Sequence, residues 1–233
     1  MRIILFIAFV FGSTCGIYAQ TASITGAWQF NEDDKTHHLF FMDGLYFHTL
    51  SQGNKFIMTR GGSYELQDGQ IKGKVMFNSA DSLAVGSDMN VPFTVSAEIL
   101  SMDVPEGNVR FKRIDEGKAP LAGVWRITGR MQEDEKIAAI HQSGTRQTYK
   151  MLTGGKFQWV AIDPGKKQFS GTGGGSYTFK DGKYTENIEF FSRDNSRVGA
   201  SLTFDGKLED GAWHHSGLSS KGAKIYEVWS RVK

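Results

Sequence analysis

Apolar residues recur at every second position through most of this chain. In the run from Lys183 to Phe190, Tyr184, Ile188 and Phe190 share a face with Glu186, while Thr185, Asn187 and Glu189 take the other. A period of two belongs to a half-buried strand, because successive side chains point to opposite faces of a sheet. Asp43-Gly44, Asp68-Gly69, Asp181-Gly182 and Asp205-Gly206 separate such runs, and this dipeptide favours the tight turns of β-hairpins. The second half reads as about eight strands in succession, a meander rather than a crossover fold. One stretch departs from this pattern. Met131 to Ile140 places acids before alanines, which fits a short helix or an exposed loop lying over a barrel mouth.

The pattern occurs twice. Gly61-Gly62-Ser63-Tyr64, Asp68-Gly69 and Phe77 recur at one constant spacing as Gly174-Gly175-Ser176-Tyr177, Asp181-Gly182 and Phe190, and Gly26-Ala27-Trp28 is echoed by Gly123-Val124-Trp125. Two units follow, residues 22–115 and 121–233, joined by the Gly- and Pro-containing linker 116–120. The predicted class is all-β: two tandem small antiparallel up-and-down barrels. The paired glycines read as one hairpin corner used twice, by way of a loop or bulge. Gly171 to Gly175 lacks the Lys-Ser/Thr and the helix that a phosphate-cradling loop needs.

Composition narrows the setting. Met1-Arg2 and the apolar run from Ile3 to Phe11, with Ile17-Tyr18-Ala19 before Gln20, read as a secretory signal peptide over residues 1–19. The protein is therefore expected to be secreted, periplasmic or at the cell surface. Lipidation at Cys15 is the alternative, although Gly12-Ser13-Thr14 is a poor context for it. Cys15 is the one cysteine, so cleavage after Ala19 leaves no thiol for disulfides, thiolate chemistry or zinc. Lys and Arg total 27 against 25 Asp and Glu, a formal net charge of +2. So balanced a chain carries no electrostatic footprint for nucleic acid or an anionic membrane surface. No second apolar stretch suggests a membrane span.

A Gly-x-Trp at each first strand, an up-and-down run of hairpins and an Arg in each last strand resemble the lipocalin (calycin) barrels. The ending Ile225 to Arg231, with Asp181 to Glu186, further resembles uncharacterised lipocalin-like domains of secreted bacterial proteins. The resemblance implies that Trp28 packs with Arg113 (Arg110 being the alternative) and Trp125 with Arg231, as structural pairs. It also implies non-catalytic binding of a small, partly apolar molecule.

Candidate chemistry is sparse. Adjacent histidines point to opposite faces of a strand, so neither His37-His38 nor His214-His215 readily shares one metal ion. The latter reads as a barrel-wall pair, one solvated and one hydrogen-bonded inside. A metal site joining His214 or His215 to His48 or His141 stays open. Glu186, on the face of Tyr184 and Phe190, fits a polar anchor in a cavity, a rim glutamate or a general acid. No Gly-x-Ser-x-Gly elbow accompanies it, and no metal or cofactor is implied. Trp159, Tyr177, Glu186, Phe190 and His215 are the expected ligand-lining residues. Two rival functions are a packed interaction module for a protein or glycan partner, and a hydrolase or isomerase built in the barrel mouth. Tyr184 and Glu186 stand where the first unit has Ile71 and Gly73, so the second unit is expected to be the binding side.

Overall fold

A computed structural model describes residues 22–219 and 222–232; the leader, with Cys15, lies outside the described residues. The first unit is one closed antiparallel barrel of consecutive strands: β1 (Gly26–Glu32), β2 (Lys35–Met42), β3 (Leu45–Gln52), β4 (Lys55–Gln67), β5 (Gln70–Asn78), β6 (Asp88–Val95), β7 (Ile99–Val104) and β8 (Gly107–Asp115), with β8 returning to β1. The second repeats it with β9 (Gly123–Met131), β11 (Gln147–Leu152), β12 (Lys156–Asp163), β13 (Gln168–Lys180), β14 (Lys183–Phe191), β15 (Ser201–Glu209), β16 (Ala212–Leu218) and β17 (Lys224–Arg231), closed by β17 against β9. Closure pairs the first strand of each barrel with its last, which removes the exposed edges that an open eight-stranded sheet would carry.

The stretch from Met131 to Ile140 forms a turn and a short strand, β10 (Ile137–Ala139), instead of a helix or an open loop. β10 pairs with the distal half of β9, while β11 pairs with the proximal half from Gly123 to Arg126. The insertion thus occupies one edge of β9 near the barrel opening, and its Ile140 packs on the second core.

Three of the Asp-Gly pairs make turns with positive φ at both residues: Asp43-Gly44, Asp68-Gly69 and Asp181-Gly182. This is the backbone of a two-residue hairpin turn that matches strand twist. Asp205-Gly206 instead lies inside β15. A Cβ at Gly206 would come within 2.8 Å of the Phe179 ring, so packing requires that glycine, and the turn falls at Asp210-Gly211.

The repeated Gly-Gly pairs lie inside the long strands β4 and β13, not at hairpin corners. In both, the register shifts at the pair. A Cβ at Gly62 would stand 1.8 Å from the Lys74 carbonyl oxygen, and one at Gly175 2.0 Å from that of Asn187. Glycine allows this close backbone approach at a bulge. Opposite Gly174 and Gly175 stand Phe190 and Ile188, which leaves Glu189 as the extra residue of β14. That extra residue reverses the alternation, so Phe190 leaves the face of Tyr184, Glu186 and Ile188, and Phe191 replaces it.

The two barrels share a packed contact. Ala27, Phe40, Met42, Leu45, Phe47 and Phe77 of the first meet Val124, Met151, Val160 and Ile162 of the second in one buried cluster. Hydrogen bonds cross the contact. Gln158 donates to Thr59 at 2.9 Å and to Thr172 at 3.0 Å, and accepts from Thr49 at 2.9 Å. Asp115 accepts from Thr153, Gly154 and Gly155, and Asp43 accepts from the amide of Val124. His38 faces this contact, and burial, with Lys156 nearby, lowers its pKa to about 4.

Candidate functional site

Each barrel begins with a tryptophan under an arginine. The Arg113 guanidinium lies 3.9 Å from the ring centroid of Trp28, and that of Arg231 lies 4.4 Å from Trp125. Trp28 and Trp125 donate their indole N–H groups to the carbonyls of Ile24 and Leu121. These equivalent pairs fix the register, so interior positions can be compared strand by strand.

Opposite Trp28 on β2 stands Leu39, and opposite Trp125 on β11 stands Lys150. Opposite Tyr64 stands Gly73, and opposite Tyr177 stands Glu186. The facing pair Met102 and Val109 of β7 and β8 becomes His215 and Glu227 of β16 and β17. Four apolar or side-chain-free positions of the first barrel are thus ionisable in the second.

These four residues are buried. Lys150, Glu186, His215 and Glu227 are 4%, 6%, 3% and 8% exposed. Lys150 Nζ donates to Glu186 Oε1 at 2.7 Å and sits 5.2–5.8 Å from the ring centroids of Phe157, Tyr184, Trp213 and Trp229. Glu227 accepts from Arg130 at 2.6 Å and from the Trp229 indole at 3.2 Å, and its Oε2 is 3.5 Å from His215 Nδ1. Burial alone would raise the pKa of Glu227, but His215, Lys150 and Arg130 outweigh it and hold the carboxyl at about 2. Burial lowers that of His215, opposed by Glu227. Glu227 is therefore an anion and His215 a neutral imidazole at neutral pH. Among the described residues His215 makes no well-formed hydrogen bond, its Nδ1 having Glu227 at a long 3.5 Å, and the Tyr184 hydroxyl makes none; unpaired buried polar groups are costly. Burial, then Glu186, pushes the Tyr184 phenol well above its ordinary pKa.

The quartet borders a cavity of about 270 Å³ whose other walls include Trp159, Phe191, Phe204 and Trp229, with Arg130 and Arg197 also lining it. Of the residues expected from sequence to line a site, Trp159, Glu186 and His215 meet here. Tyr177 is elsewhere in the core, donating its hydroxyl to the Thr153 carbonyl at 2.8 Å. Phe190, turned away by the bulge, stacks against Phe56 of the first barrel. His214 faces outward and contacts the Tyr226 hydroxyl at 2.9 Å, so the histidine pair straddles the wall, and the inner His215 has Glu227 at 3.5 Å where a hydrogen bond was expected. His48 is in the first barrel, 3.0 Å from His37. Among the described residues no group of three or more His, Cys, Asp or Glu could hold a metal ion. Lys150, Glu227 and Arg130 complete the site and escape a motif search. Aligning the two units on their Trp and Arg landmarks would have shown charge at Leu39 and Val109.

A hollow of about 500 Å³ on the first unit, bordered by Tyr64, Lys72, Lys74, Asp88 and Met89, is an open surface groove. Its Lys74–Asp88 ion pair is solvent-exposed.

Residues 120–233 match the model of a domain of unknown function (DUF4488). No curated protein matches the chain. Among solved structures the chain is similar to a lipocalin-like protein from Bacteroides uniformis ATCC 8492, at 13% identity over 49% of this chain and 100% of that one, with a TM-score of 0.35. The chain is a tandem of two closed eight-stranded antiparallel barrels, each with its first-strand tryptophan under a last-strand arginine.

Proposed function

We propose that the protein is exported and that its second barrel is a non-catalytic binding site for a small, partly apolar molecule. One observation carries this reading: buried charge and a ring-walled cavity occur together in the second barrel, at positions where the first is apolar. Cavities walled by aromatic rings with a few fixed polar groups are the usual form of small-molecule sites. The first barrel, packed around Trp28, Leu39, Phe41 and Phe111, serves as the rigid partner. The apolar run from Ile3 to Phe11 supports export. Native mass spectrometry of protein purified from its own host tests this reading. A copurifying small molecule is expected. Consistently bare protein, without a thermal shift in the presence of lipids, haem or aromatic compounds, would count against it.

A second reading has one observation in its favour. Glu227 lies against His215 inside the cavity, an arrangement in which a carboxylate orients an imidazole for general-base work. This reading predicts turnover of model esters or enolisable ketones that His215→Gln abolishes; a chain inert toward both classes returns the site to binding alone.

A further inference from the structure

Lysine is among the residues least often buried, and a buried ion pair is a poor way to stabilise a fold. Lys150 is 4% exposed, and Leu39 fills its place in a barrel of the same design. The fold therefore does not need a lysine there. An ammonium has three N–H donors, yet among the described residues the hydrogen-bond partner of Lys150 Nζ is Glu186. Four rings lie 5.2–5.8 Å from Nζ, His215 and Glu227 share the cavity with it, and the residue lines that cavity. A desolvated lysine in an apolar pocket is the group that condenses with carbonyl compounds.

We propose that Lys150 is an imine-forming anchor, and that the second barrel captures small ring-bearing aldehydes as a protonated Schiff base with Glu186 as its counterion. This rests on the reading that the cavity admits a small apolar guest. Lys150 first passes a proton to the Glu186 carboxylate, 2.7 Å away. The free amine attacks the aldehyde carbon, and a proton shift gives a neutral carbinolamine. Glu186 then returns its proton to the carbinolamine hydroxyl, the C–O bond breaks, water leaves and the C=N bond forms. Aldehyde and ammonium become iminium and water, with one positive charge before and after and no oxidant or reductant consumed. The iminium stays beside the Glu186 carboxylate and among four ring faces, which favour a cation. Trp159 and Phe191, edge to face at 5.7 Å between centroids, and Phe204 supply the walls for a ring. The cavity of about 270 Å³ equals about nine water volumes at ~30 Å³ each, which suits one ring with a short side chain.

The test treats the full chain with 4-methylbenzaldehyde, reduces it with borohydride and maps the modified lysines by peptide mass spectrometry. Lys150 is expected to be labelled at least about tenfold faster than the exposed Lys183, because the cavity holds the aldehyde against the amine. Lys150→Arg keeps a cation for Glu186 but cannot form the imine, and is expected to lose this labelling. In the unaltered chain, the thermal shift given by 4-methylbenzyl alcohol, a guest without a carbonyl, reports occupancy of the cavity. Labelling of Lys150 no faster than Lys183, with the alcohol still raising the thermal midpoint, overturns the imine and leaves the binding reading standing. Absence of both the labelling and the thermal shift overturns the imine and removes the support these probes give to the binding reading.

Discussion

The two barrels share strand order, Trp–Arg landmarks and glycine bulges, and differ at the centre. Leu39, Gly73, Met102 and Val109 in one become Lys150, Glu186, His215 and Glu227 in the other. Because the first barrel closes without these charges, they are not a requirement of the architecture. They are kept buried at an energetic disadvantage that apolar residues avoid, which is the mark of a site.

The largest expected effect comes from breaking one half of a charge pair. Lys150→Met should destabilise the chain by about 3–5 kcal/mol, because it strands a buried carboxylate. The paired change Lys150→Leu with Glu186→Leu should recover most of that loss. Urea unfolding of both variants checks this, and equal midpoints for the two would contradict it.

The glycine bulges test what the barrels have in common. Gly62→Ala and Gly175→Ala each put a Cβ within about 2 Å of a carbonyl oxygen, and each should cost about 3 kcal/mol or more through forced backbone movement. Circular-dichroism melts should show losses of similar size in the two barrels. A loss confined to one of them would break the equivalence.

Acid sharpens the difference between contact and cavity. The pKa of His38 falls from an ordinary 6.5 to about 4 on folding, so the unfolded chain binds the proton more readily. Stability is fully present above pH 6.5 and declines as pH falls toward 4, by about 3 kcal/mol for this residue. His37, His48 and His215 are shifted in the same direction by burial. Glu227 adds a later loss as pH drops from 4.5 through its folded value of about 2. His38→Leu should flatten the profile between pH 6.5 and 4 while leaving the Glu227 limb; a profile unchanged by the substitution would remove His38 from the account.

The smallest effect separates the landmark arginines. Arg113 donates to the carbonyls of Ala97, Thr25 and Ser23 as well as covering Trp28, whereas Arg231 donates to Ala122. Arg113→Leu should cost about 1–2 kcal/mol and Arg231→Leu about 1 kcal/mol. The reverse order in chemical denaturation would show that the caps are not ranked by their hydrogen bonds.

Much of this was legible in the residues. The duplication, strand period and Gly-x-Trp with a late Arg fixed two barrels and their landmarks, since these are local and repeated. The strand period puts Glu186 on the face of Tyr184 and so names it as a lining candidate, while it leaves open which of His214 and His215 faces inward. Phe190 could not be placed by that period, because one extra residue at Glu189 reverses the alternation and no residue type announces it. Lys150 lies between Tyr149 and Met151 in a short strand whose two faces are both largely buried, so its inward direction follows only from pairing with Trp125. Asp205-Gly206 misled as a turn because a glycine needed for packing under Phe179 looks the same as one needed for φ.

The most direct measurement follows the indole N–H resonances of Trp28, Trp159 and Trp229 in nitrogen-15-labelled protein during titration with a small-molecule extract of the host. The account predicts that Trp159 and Trp229, on the cavity wall, shift while Trp28 in the first barrel stays fixed. Movement of Trp28 alone, or of none of the three, would contradict it.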